Sequence, residues 1–490
     1  VQMEFLTFLL YFILLWIITK FIISIAYAET KRRPVDLPPG PPAWPIVGNL
    51  FQLGKNAHTS LARLSAVHGP IMTLKLGRLT TVVISSSQLA RQVVHHHDLS
   101  LSGRTPPDAV RALGHSEISL LWLPPSPRWR AFRKMCSSNL FTTRSLDATA
   151  GLRRKKVEEL VEFIRTRARA GEAVNVGEAV MVTSLNLLSS TIFSVDMAEL
   201  GTEKAADFRA LVGRTVDAAG NPDIANYFPA LGRLDLQGRR RRLGKCLTKW
   251  FQVTEELVAQ RLASGKRMGD VLDAILGTID DHLIQRSHIK HLMLDLFLAA
   301  VDTTSITVEW AMAELLRNPS ILGKLREEIR VSVGENIPIS EAEVFELPFL
   351  QAVVKETFRV HPAGPLLVPR KAMEDVHING YMIPKDSQLV VNAWAIGRDG
   401  SVWKNPDEFW PERFVGWEVD VKGGDLVLIP FGMGRRICPG LPLAMRMVHL
   451  VLASLVHHFE WKVEGEMDME EVFQIVLRKV HPLRAIPMSI

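Results

Sequence analysis

A glycine-rich run near the carboxyl end of the chain holds the residue with the clearest chemical potential, Cys438. It reads Phe431-Gly432-Met433-Gly434-Arg435-Arg436-Ile437-Cys438-Pro439-Gly440. A cysteine binds a metal as the thiolate, and a buried thiolate needs hydrogen-bond donors and positive charge around it. Glycines let amide groups turn toward the sulfur, and a helix that begins near Cys438 adds the positive end of its dipole. The run therefore predicts a thiolate metal ligand, against the alternative of an incidental cysteine in a glycine-rich turn.

The other two cysteines, Cys136 and Cys246, stand far from Cys438 and from each other. The three form no CxxC pair, which argues against a disulfide scaffold and against a structural zinc site. Each of the two is expected to be a small buried hydrophobic residue. This cysteine usage is typical of a reducing compartment.

A second group of reactive side chains lies in a long apolar segment. Residues Ser287–Arg317 have helical periodicity, are apolar on most faces and end before Pro319. Asp302 and Thr303 lie within this stretch. Thr303 can hydrogen-bond to the carbonyl four residues earlier, and Asp302 can relay protons. The alternative interpretation is an internal polar cluster without chemistry.

Taken together, these motifs resemble those of the cytochromes P450. The run from Phe431 to Gly440 matches the FxxGxRxCxG loop of that family at all five defining positions. The other landmarks occur in the family's order, so the resemblance covers nearly the whole chain. They are the proline hinge Pro38–Pro41, the WxxxR helix Trp129–Arg133, the AGxDTT-like element Ala299–Thr304, the ExxR helix Glu356–Arg359 and the PERF element Pro411–Phe414.

The resemblance implies a heme b cofactor whose iron takes Cys438 as its axial ligand. It implies that Gly432, Gly434 and Gly440 shape the loop and that Phe431 packs beside the sulfur. Glu356, Arg359 and Arg413 are expected to form a buried structural triad. The positions that match heme-propionate partners in the family are Arg436, Trp129, Arg133, Arg370 and Arg104.

The resemblance also assigns catalytic roles to Asp302 and Thr303, since an acid and an alcohol at these positions supply protons for cleavage of the O–O bond. Ala300 departs from the family, which usually has glycine there, and its methyl group is expected to narrow the groove beside the oxygen site. The family's usual substrate-contact positions correspond to Phe297, Ala300, Thr304, Leu366 and Val476.

The expected fold is that of the family, mainly α with a small β region. Two short β-branched runs around Gly77-Arg78 predict a hairpin of Ile71–Leu76 and Thr81–Ile84, and further strands are predicted at Val376–Ile378 and Gln388–Val391. The stretch Ala395–Gly424 is expected to be irregular. Helical periodicity predicts helices, besides Ser287–Arg317, over Val157–Arg169, Val180–Phe193, Leu243–Ala263, Met268–Asp280, Ser320–Val333 and Leu441–His458.

The chain is expected to divide into a membrane anchor with a basic flank (1–33), a proline-rich hinge (34–45) and a heme-thiolate catalytic domain (46–490). The apolar run Phe5–Ala28 is long enough to cross ~30 Å of hydrocarbon as a helix. Because the basic residues follow this run, the predicted topology is single-pass with a cytosolic catalytic domain. The resemblance to microsomal enzymes implies the endoplasmic reticulum membrane. A cleaved signal peptide is the disfavoured alternative, since no basic residue precedes the run.

Charge and motifs constrain the partners. Lys and Arg outnumber Asp and Glu by 58 to 52 without a basic stripe, so no nucleic acid partner is expected. The sequence has no flavin or nicotinamide fingerprint, and the family implies electrons from NADPH–cytochrome P450 reductase. The predicted docking surface for its acidic face consists of Arg128, Arg130, Lys134 and Arg435.

The predicted function is a monooxygenase that inserts one atom of O2 into an apolar small molecule. Segments such as Val308–Glu314 are similar to plant microsomal enzymes of the group containing geraniol hydroxylase and the abietane diterpene oxidases, which implies a mono- or diterpenoid substrate. Three alternatives stay open. They are a heme-thiolate isomerase or dehydratase that needs no reductase, a monooxygenase of phenylpropanoids or alkaloids, and a membrane-tethered binding protein.

Overall fold

The protein is described by a computed structural model that covers residues 11, 12, 16, 19, 20, 36–278, 283–334 and 337–490. Most of these residues are helical. From residue 36 onward the α-helices are, in chain order, α1 Ala57–His68, α2 Ser87–His97, α3 Pro127–Cys136, α4 Thr143–Ala148, α5 Ala150–Ala170, α6 Val176–Phe193, α7 Glu203–Gly220, α8 Ile224–Tyr227, α9 Arg239–Ser264, α10 Val271–Leu276, α11 Ile289–Arg317, α12 Pro319–Val333, α13 Glu341–Phe345, α14 Pro348–Val360, α15 Ala393–Ile396 and α16 Leu441–His458.

Short strands form small sheets at the edges of this helical body. One sheet has the order β1-β2-β7-β4, in which β2 and β7 are parallel and the other neighbours antiparallel, and a second has the order β3-β11-β8. Two hairpins, β5-β6 and β9-β10, complete the β structure of the described residues. The strands are β1 Ile71–Leu76, β2 Leu79–Ile84, β3 Val174–Asn175, β4 Arg370–Lys371, β5 Val376–Ile378, β6 Tyr381–Ile383, β7 Gln388–Val391, β8 Phe459–Val463, β9 Glu471–Phe473, β10 Leu477–Lys479 and β11 Arg484–Ser489.

A single buried helix, α11, organises the core. It packs against α6, α9, α14 and α16, and most of its side chains are buried. It ends at Asn318, where Pro319, which has no amide proton, begins the next helix. Segments Val176–Phe193, Arg286–Arg317 and Leu441–His458 are long and apolar enough to cross a membrane, but most of each is buried inside the protein. Their apolar surface therefore forms the protein core.

The mainly helical prediction with a small β region is confirmed, although several boundaries differ. The predicted helix Met268–Asp280 is much shorter, because the Asp270 side chain accepts the Asp273 N–H at 3.2 Å and starts the helix, and Gly277 ends it. The helix expected near Cys438 begins at Leu441. The Cys438 N–H instead donates to the Phe431 carbonyl at 2.8 Å, which closes a turn.

The proposed anchor and its basic flank lie outside the described residues except for positions 11, 12, 16, 19 and 20. The described part of the proline-rich segment lies along two strands of the body. The Thr73 N–H donates to the Pro39 carbonyl and the Met382 N–H to the Asp36 carbonyl, both at 2.8 Å. The role of this segment as a rigid hinge stays a prediction.

The predicted triad of Glu356, Arg359 and Arg413 is confirmed. The Glu356 and Arg359 side chains are 0% exposed, and Arg359 Nε donates to Glu356 Oε2 at 2.7 Å. Arg413 Nε donates to Glu356 Oε1 at 3.1 Å. Arg359 also donates to the carbonyls of Gly397 and Pro406, in the connection that leads to Cys438. The triad thus fixes this irregular connection to α14.

We expect Glu356→Gln to lower the free energy of unfolding by about 3–5 kcal/mol, because it leaves two arginines without their buried carboxylate. Chemical denaturation measures this loss. The matched control is Glu464→Gln, which removes the exposed partner of Arg484 and should cost at most about 1 kcal/mol. Equal effects of the two substitutions would contradict a structural role for the triad.

Candidate active site around Cys438

The loop before Cys438 adopts a conformation that only its glycines permit easily. Gly432 and Gly434 have φ of +78° and +60°. A Cβ atom on Gly434 would also collide with the carboxylate of Asp98, which is the residue after α2. Phe431 lies beside this turn, with its ring 5.2 Å from that of Phe358 in an edge-to-face arrangement. The loop is therefore held from two sides before it reaches the cysteine.

The groups around the Cys438 sulfur have opposite effects on the pKa of its thiol. Burial raises the pKa of the Cys438 thiol, whereas the amides of Gly440 and Leu441 and the nearby charge of Arg133 act to lower it. Both amides lie at the start of α16, where helix N–H groups are free. The net pKa is raised, so the thiolate needs a further positive centre. A metal ion at the sulfur supplies such a charge, since a coordinating thiol is deprotonated.

Four arginines from four parts of the chain converge near this loop. Their side chains contact mainly main-chain carbonyls. Arg133 donates to Ile437 at 2.6 Å, Arg370 to Met433 at 2.5 Å, Arg436 to Leu123 at 2.5 Å, and Arg104 to Pro369 at 2.8 Å.

Trp129 lies between two of the four arginines. The Arg436 guanidinium stands 4.6 Å from its ring centre and that of Arg133 stands 5.6 Å away. These distances are those of cation–π contacts. Trp129 and the four arginines, which are the predicted propionate partners, therefore form one cluster beside the Cys438 loop.

This cluster has more buried positive charge than the described residues neutralise. Burial lowers the pKa of all four arginines, that of Arg436 to about 10, and neighbouring arginines lower the pKa of Arg104 and Arg436 further. Arg104 Nε is buried without a hydrogen-bond partner. The Asp98 carboxylate accepts from Arg370 at 3.2 Å but also from Arg435 at 2.9 Å. An anionic group is needed here, and the two propionates of a heme ligated by Cys438 fit both the charge and the donors.

The second predicted part of the site is the middle of α11. Ala299 is exposed and Ala300 and Thr303 are half-buried, although the helix around them is buried. The Thr303 hydroxyl donates to the Ala299 carbonyl at 2.7 Å, the bond to the fourth preceding residue that the sequence predicts. This face of α11 is therefore more accessible than the rest of the helix and carries one hydroxyl.

Asp302 points away from that hydroxyl toward the carboxyl-terminal hairpin. Its Oδ2 accepts a hydrogen bond from Arg478 Nη2 at 2.5 Å. Burial raises the pKa of the Asp302 carboxyl, and the Arg478 charge partly offsets this. Asp302 and Thr303 are adjacent in sequence, but the structure gives the acid a separate partner.

The residues predicted to contact substrate occupy different environments. Thr304 is buried, and Ala300 lies on the half-open side of α11. Phe297 is 1% exposed and packs between Phe193 and Trp250, at 6.2 and 6.0 Å between ring centres. Leu366 packs with the cluster around β1 and β7, and Val476 packs against Ile306 and Trp310 of α11. The substrate roles of these five residues stay predictions.

Sequence reasoning missed Asp98 and Arg478. Asp98 and the loop residue that it contacts are more than 330 residues apart in the sequence. Arg478 and Asp302 are 176 residues apart, so neither contact can be recognised from neighbouring residues. A lone acid or arginine in a sequence is usually a solvated side chain. Only the tertiary fold identifies these two.

Comparison with known proteins adds an independent line of argument. The family model "Cytochrome P450" matches residues 38–484. Among similar proteins, cytochrome P450 76C4 of Arabidopsis thaliana is 47% identical over 98% of this chain and 98% of its own length. Geraniol 8-hydroxylase of Catharanthus roseus is 46% identical over 95% of this chain and 96% of its own length. Drimenol monooxygenase of Persicaria hydropiper is 44% identical over 94% of both chains.

Arg104→Met should weaken heme retention by about 10- to 100-fold, the equivalent of one charged hydrogen bond. Heme release to an excess of an apo-globin acceptor measures this change. Arg111→Met, which removes an exposed arginine in the same region, should have no effect. Unaltered heme release by Arg104→Met would show that Arg104 makes no contribution to holding the cofactor.

Proposed function

The chain belongs to the cytochrome P450 family, and from that premise we propose that it hydroxylates a mono- or diterpenoid with electrons from NADPH–cytochrome P450 reductase. Membership makes it a heme-thiolate monooxygenase that requires a redox partner, O2 and a small-molecule substrate. The observation that carries the proposal is the convergence of four buried or half-buried arginines on the Cys438 loop. We place the partly exposed Thr303 face of α11 across the substrate cleft from this loop.

The residues around Cys438 hold and tune the cofactor. Bound heme supplies the iron chemistry by which one atom of O2 enters the substrate and the other leaves as water, with two electrons and two protons consumed. The Cys438 thiolate would hold the iron, and the electron density that it donates would favour oxygen activation there. The amides of Gly440 and Leu441 keep this thiolate from becoming too basic. Arg104, Arg133, Arg370 and Arg436 with Trp129 provide the donors for the propionates.

Asp302 and Thr303 supply the protons in this proposal. Thr303 stands on the open face of α11, and its hydroxyl can switch from the Ala299 carbonyl to a group in the cleft. Asp302 is buried at the preceding position and connects through Arg478 to the partly exposed side of the protein. A hydroxyl that faces the cleft and an acid that reaches solvent are the two ends that a proton path needs.

The terpenoid class rests on relatives and on the character of the cleft. Two similar proteins are named for geraniol and drimenol, both terpenoid alcohols. The half-open positions Ala299, Ala300 and Thr303 carry no charge. Such a surface suits an apolar substrate held by shape with few polar contacts. The extra methyl of Ala300 is expected to restrict which carbon of the substrate approaches the site.

The proposed location is the endoplasmic reticulum membrane, with the catalytic domain cytosolic. Apolar side chains project from two neighbouring parts of the surface, Trp44 and Leu234 being 65% exposed and Phe51 79%. The β1-β2 turn links the two parts, since the Arg78 N–H donates to the Tyr227 carbonyl at 3.0 Å. Exposed apolar patches of this kind mark membrane contacts. Release of the full chain from microsomes by alkaline carbonate would count against an integral anchor.

The proposed reductase surface surrounds the sulfur side of the site. Arg130 and Lys134 are exposed on α3 and Arg128 of the same helix is half-buried. Arg133 of α3 contacts the Cys438 loop, and Arg435 is exposed within that loop. Arg435 also pairs with Asp98, so part of its charge is already neutralised. These cations offer an acidic electron donor a short path to the heme.

Incubation of microsomes that contain this chain and the reductase with geraniol, drimenol and diterpene hydrocarbons should give oxygenated products that carry 18O from 18O2. Mass spectrometry of the products measures this. Omission of NADPH should abolish them. Rearranged products formed without NADPH would favour the isomerase alternative, and turnover of phenylpropanoids alone would refute the terpenoid class.

Thr303→Ala should keep heme but lower the product formed per NADPH by about tenfold or more, since a positioned proton donor contributes ~10²–10⁴-fold. The lost electrons should appear as hydrogen peroxide, measured together with NADPH consumption. The control is Thr183→Ala, which removes the same kind of hydroxyl-to-carbonyl bond within α6. Full coupling in Thr303→Ala would exclude the proposed relay.

A further inference from the structure

Four polar side chains meet where α1, the end of α14 and the segment around α15 come together. They are His58, His361, Trp394 and Arg398, and we call this group the polar junction. The ring centres of His58 and Trp394 are 5.3 Å apart, and the Arg398 guanidinium lies 3.9 Å from the centre of the Trp394 ring. Burial lowers the pKa of His361, and the nearby charge of Arg398 lowers it further. His361 therefore belongs to the same group.

Each side chain of the polar junction has one buried polar atom without a hydrogen-bond partner among the described residues. These atoms are His58 Nδ1, His361 Nδ1, Trp394 Nε1 and Arg398 Nη1. The His58 side chain is 0% exposed and that of His361 8%, so bulk solvent does not satisfy the two rings. A buried polar atom without a partner is costly and uncommon in folded proteins. Four of them in one junction therefore point to a bound group that pairs with them.

The contacts of the two histidines show what their unpaired atoms can do. His58 Nε2 donates to Glu471 Oε1 of β9, and His361 Nε2 donates to Glu314 Oε1 of α11, both at 2.8 Å. The His361 ring also stacks on Trp310 of α11, with 4.0 Å between ring centres and 2° between ring planes, which fixes its orientation. Because Nε2 carries the proton of each neutral ring, both Nδ1 atoms are acceptors.

The four unpaired atoms are thus two acceptors and two donors, since Trp394 Nε1 and Arg398 Nη1 can only donate. An anion would meet the lone pairs of both imidazoles and the carboxylates of Glu314 and Glu471. A metal cation would meet two N–H groups and the charge of Arg398. A water molecule donates two hydrogen bonds and accepts two, so it matches this set without a charge conflict.

We propose that the polar junction binds an internal water molecule, which accepts from Trp394 Nε1 and Arg398 Nη1 and donates to Nδ1 of His58 and of His361. Internal waters make about three hydrogen bonds on average and are costly to remove. This water joins α1, α14 and the α15 segment. Through Glu471, it also attaches the β9-β10 hairpin to the same frame. The proposal does not depend on the catalytic function.

The test combines a crystal structure of the heme-loaded protein with a double-mutant cycle. The crystal structure should show one density peak within about 2.7–3.2 Å of the four atoms. The cycle uses Trp394→Phe, which removes a donor, and His361→Gln, whose amide can keep the bond to Glu314 while the Nδ1 acceptor is lost. The described residues show neither a hydrogen bond nor a ring contact between Trp394 and His361, so their coupling reports a shared partner.

Each single substitution should lower the ratio of folded to unfolded protein in urea by about tenfold. The double variant should also lose about tenfold, because the first substitution already weakens the shared water. The matched control is Trp403→Phe, whose indole Nε1 donates to the Ile396 carbonyl at 3.1 Å. Combined with His361→Gln, this control should show the product of the two single effects.

Two results would overturn the proposal. One is a junction without density in the crystal structure, and the other is a pair of multiplicative effects for Trp394→Phe and His361→Gln. Crystals soaked in bromide provide a further check, since an anomalous signal at the junction would identify an anion site in place of the water and would also overturn it.

Discussion

Burial of a thiolate is the constraint on which the rest of this structure depends. Burial raises the pKa of the Cys438 thiol. The amides at the start of α16 and the charge of Arg133 act to lower this pKa. These groups lower the cost of the anion without removing it. In the cytochrome P450 family, heme iron with an axial cysteine completes this compensation, and this is the role that we propose for Cys438. In the same low-polarity surroundings, each nearby arginine needs an anionic partner to offset the cost of its buried charge. The propionates of a bound heme would supply these anions.

The surrounding architecture keeps these charges in place. The Glu356–Arg359–Arg413 triad fixes the irregular connection before Cys438 to α14, and Asp98 joins the loop to Arg370. Neither group touches the sulfur. Both restrict the backbone that carries it, which is how a loop without regular hydrogen bonding holds a ligand in one position.

The middle of α11 combines an apolar helix with polar residues that such a helix does not normally hold. α11 is buried along most of its length, yet Thr303 is only half-buried and Asp302 is paired with Arg478. The hairpin that supplies Arg478 also packs Val476 against α11. A conformational change of this hairpin would therefore alter the substrate side and the proton side together. This physical link connects the proposed specificity of the enzyme with its proposed proton supply.

Much of this protein follows from the sequence because the signals are local. The glycine-rich loop, the i, i+4 pair of Trp129 and Arg133, the length of α11 and the hairpin around Gly77 each depend on residues that are neighbours in the chain, and the structure shows each of them. The predicted extent of α10 was wrong, because Asp270 caps the start of this helix and Gly277 ends it, although the apolar periodicity continues.

Tertiary structure alone decided which distant charges meet. Asp98 beside the cysteine loop, Arg478 on Asp302 and the core position of Phe297 all depend on contacts between separate elements. An ionic contact has no periodicity, and its strength depends on how far the fold excludes water from it. The sequence thus predicted the cofactor site and its chemistry, and the packing of α2, α11 and β10 decided which distant charges lie beside the predicted residues.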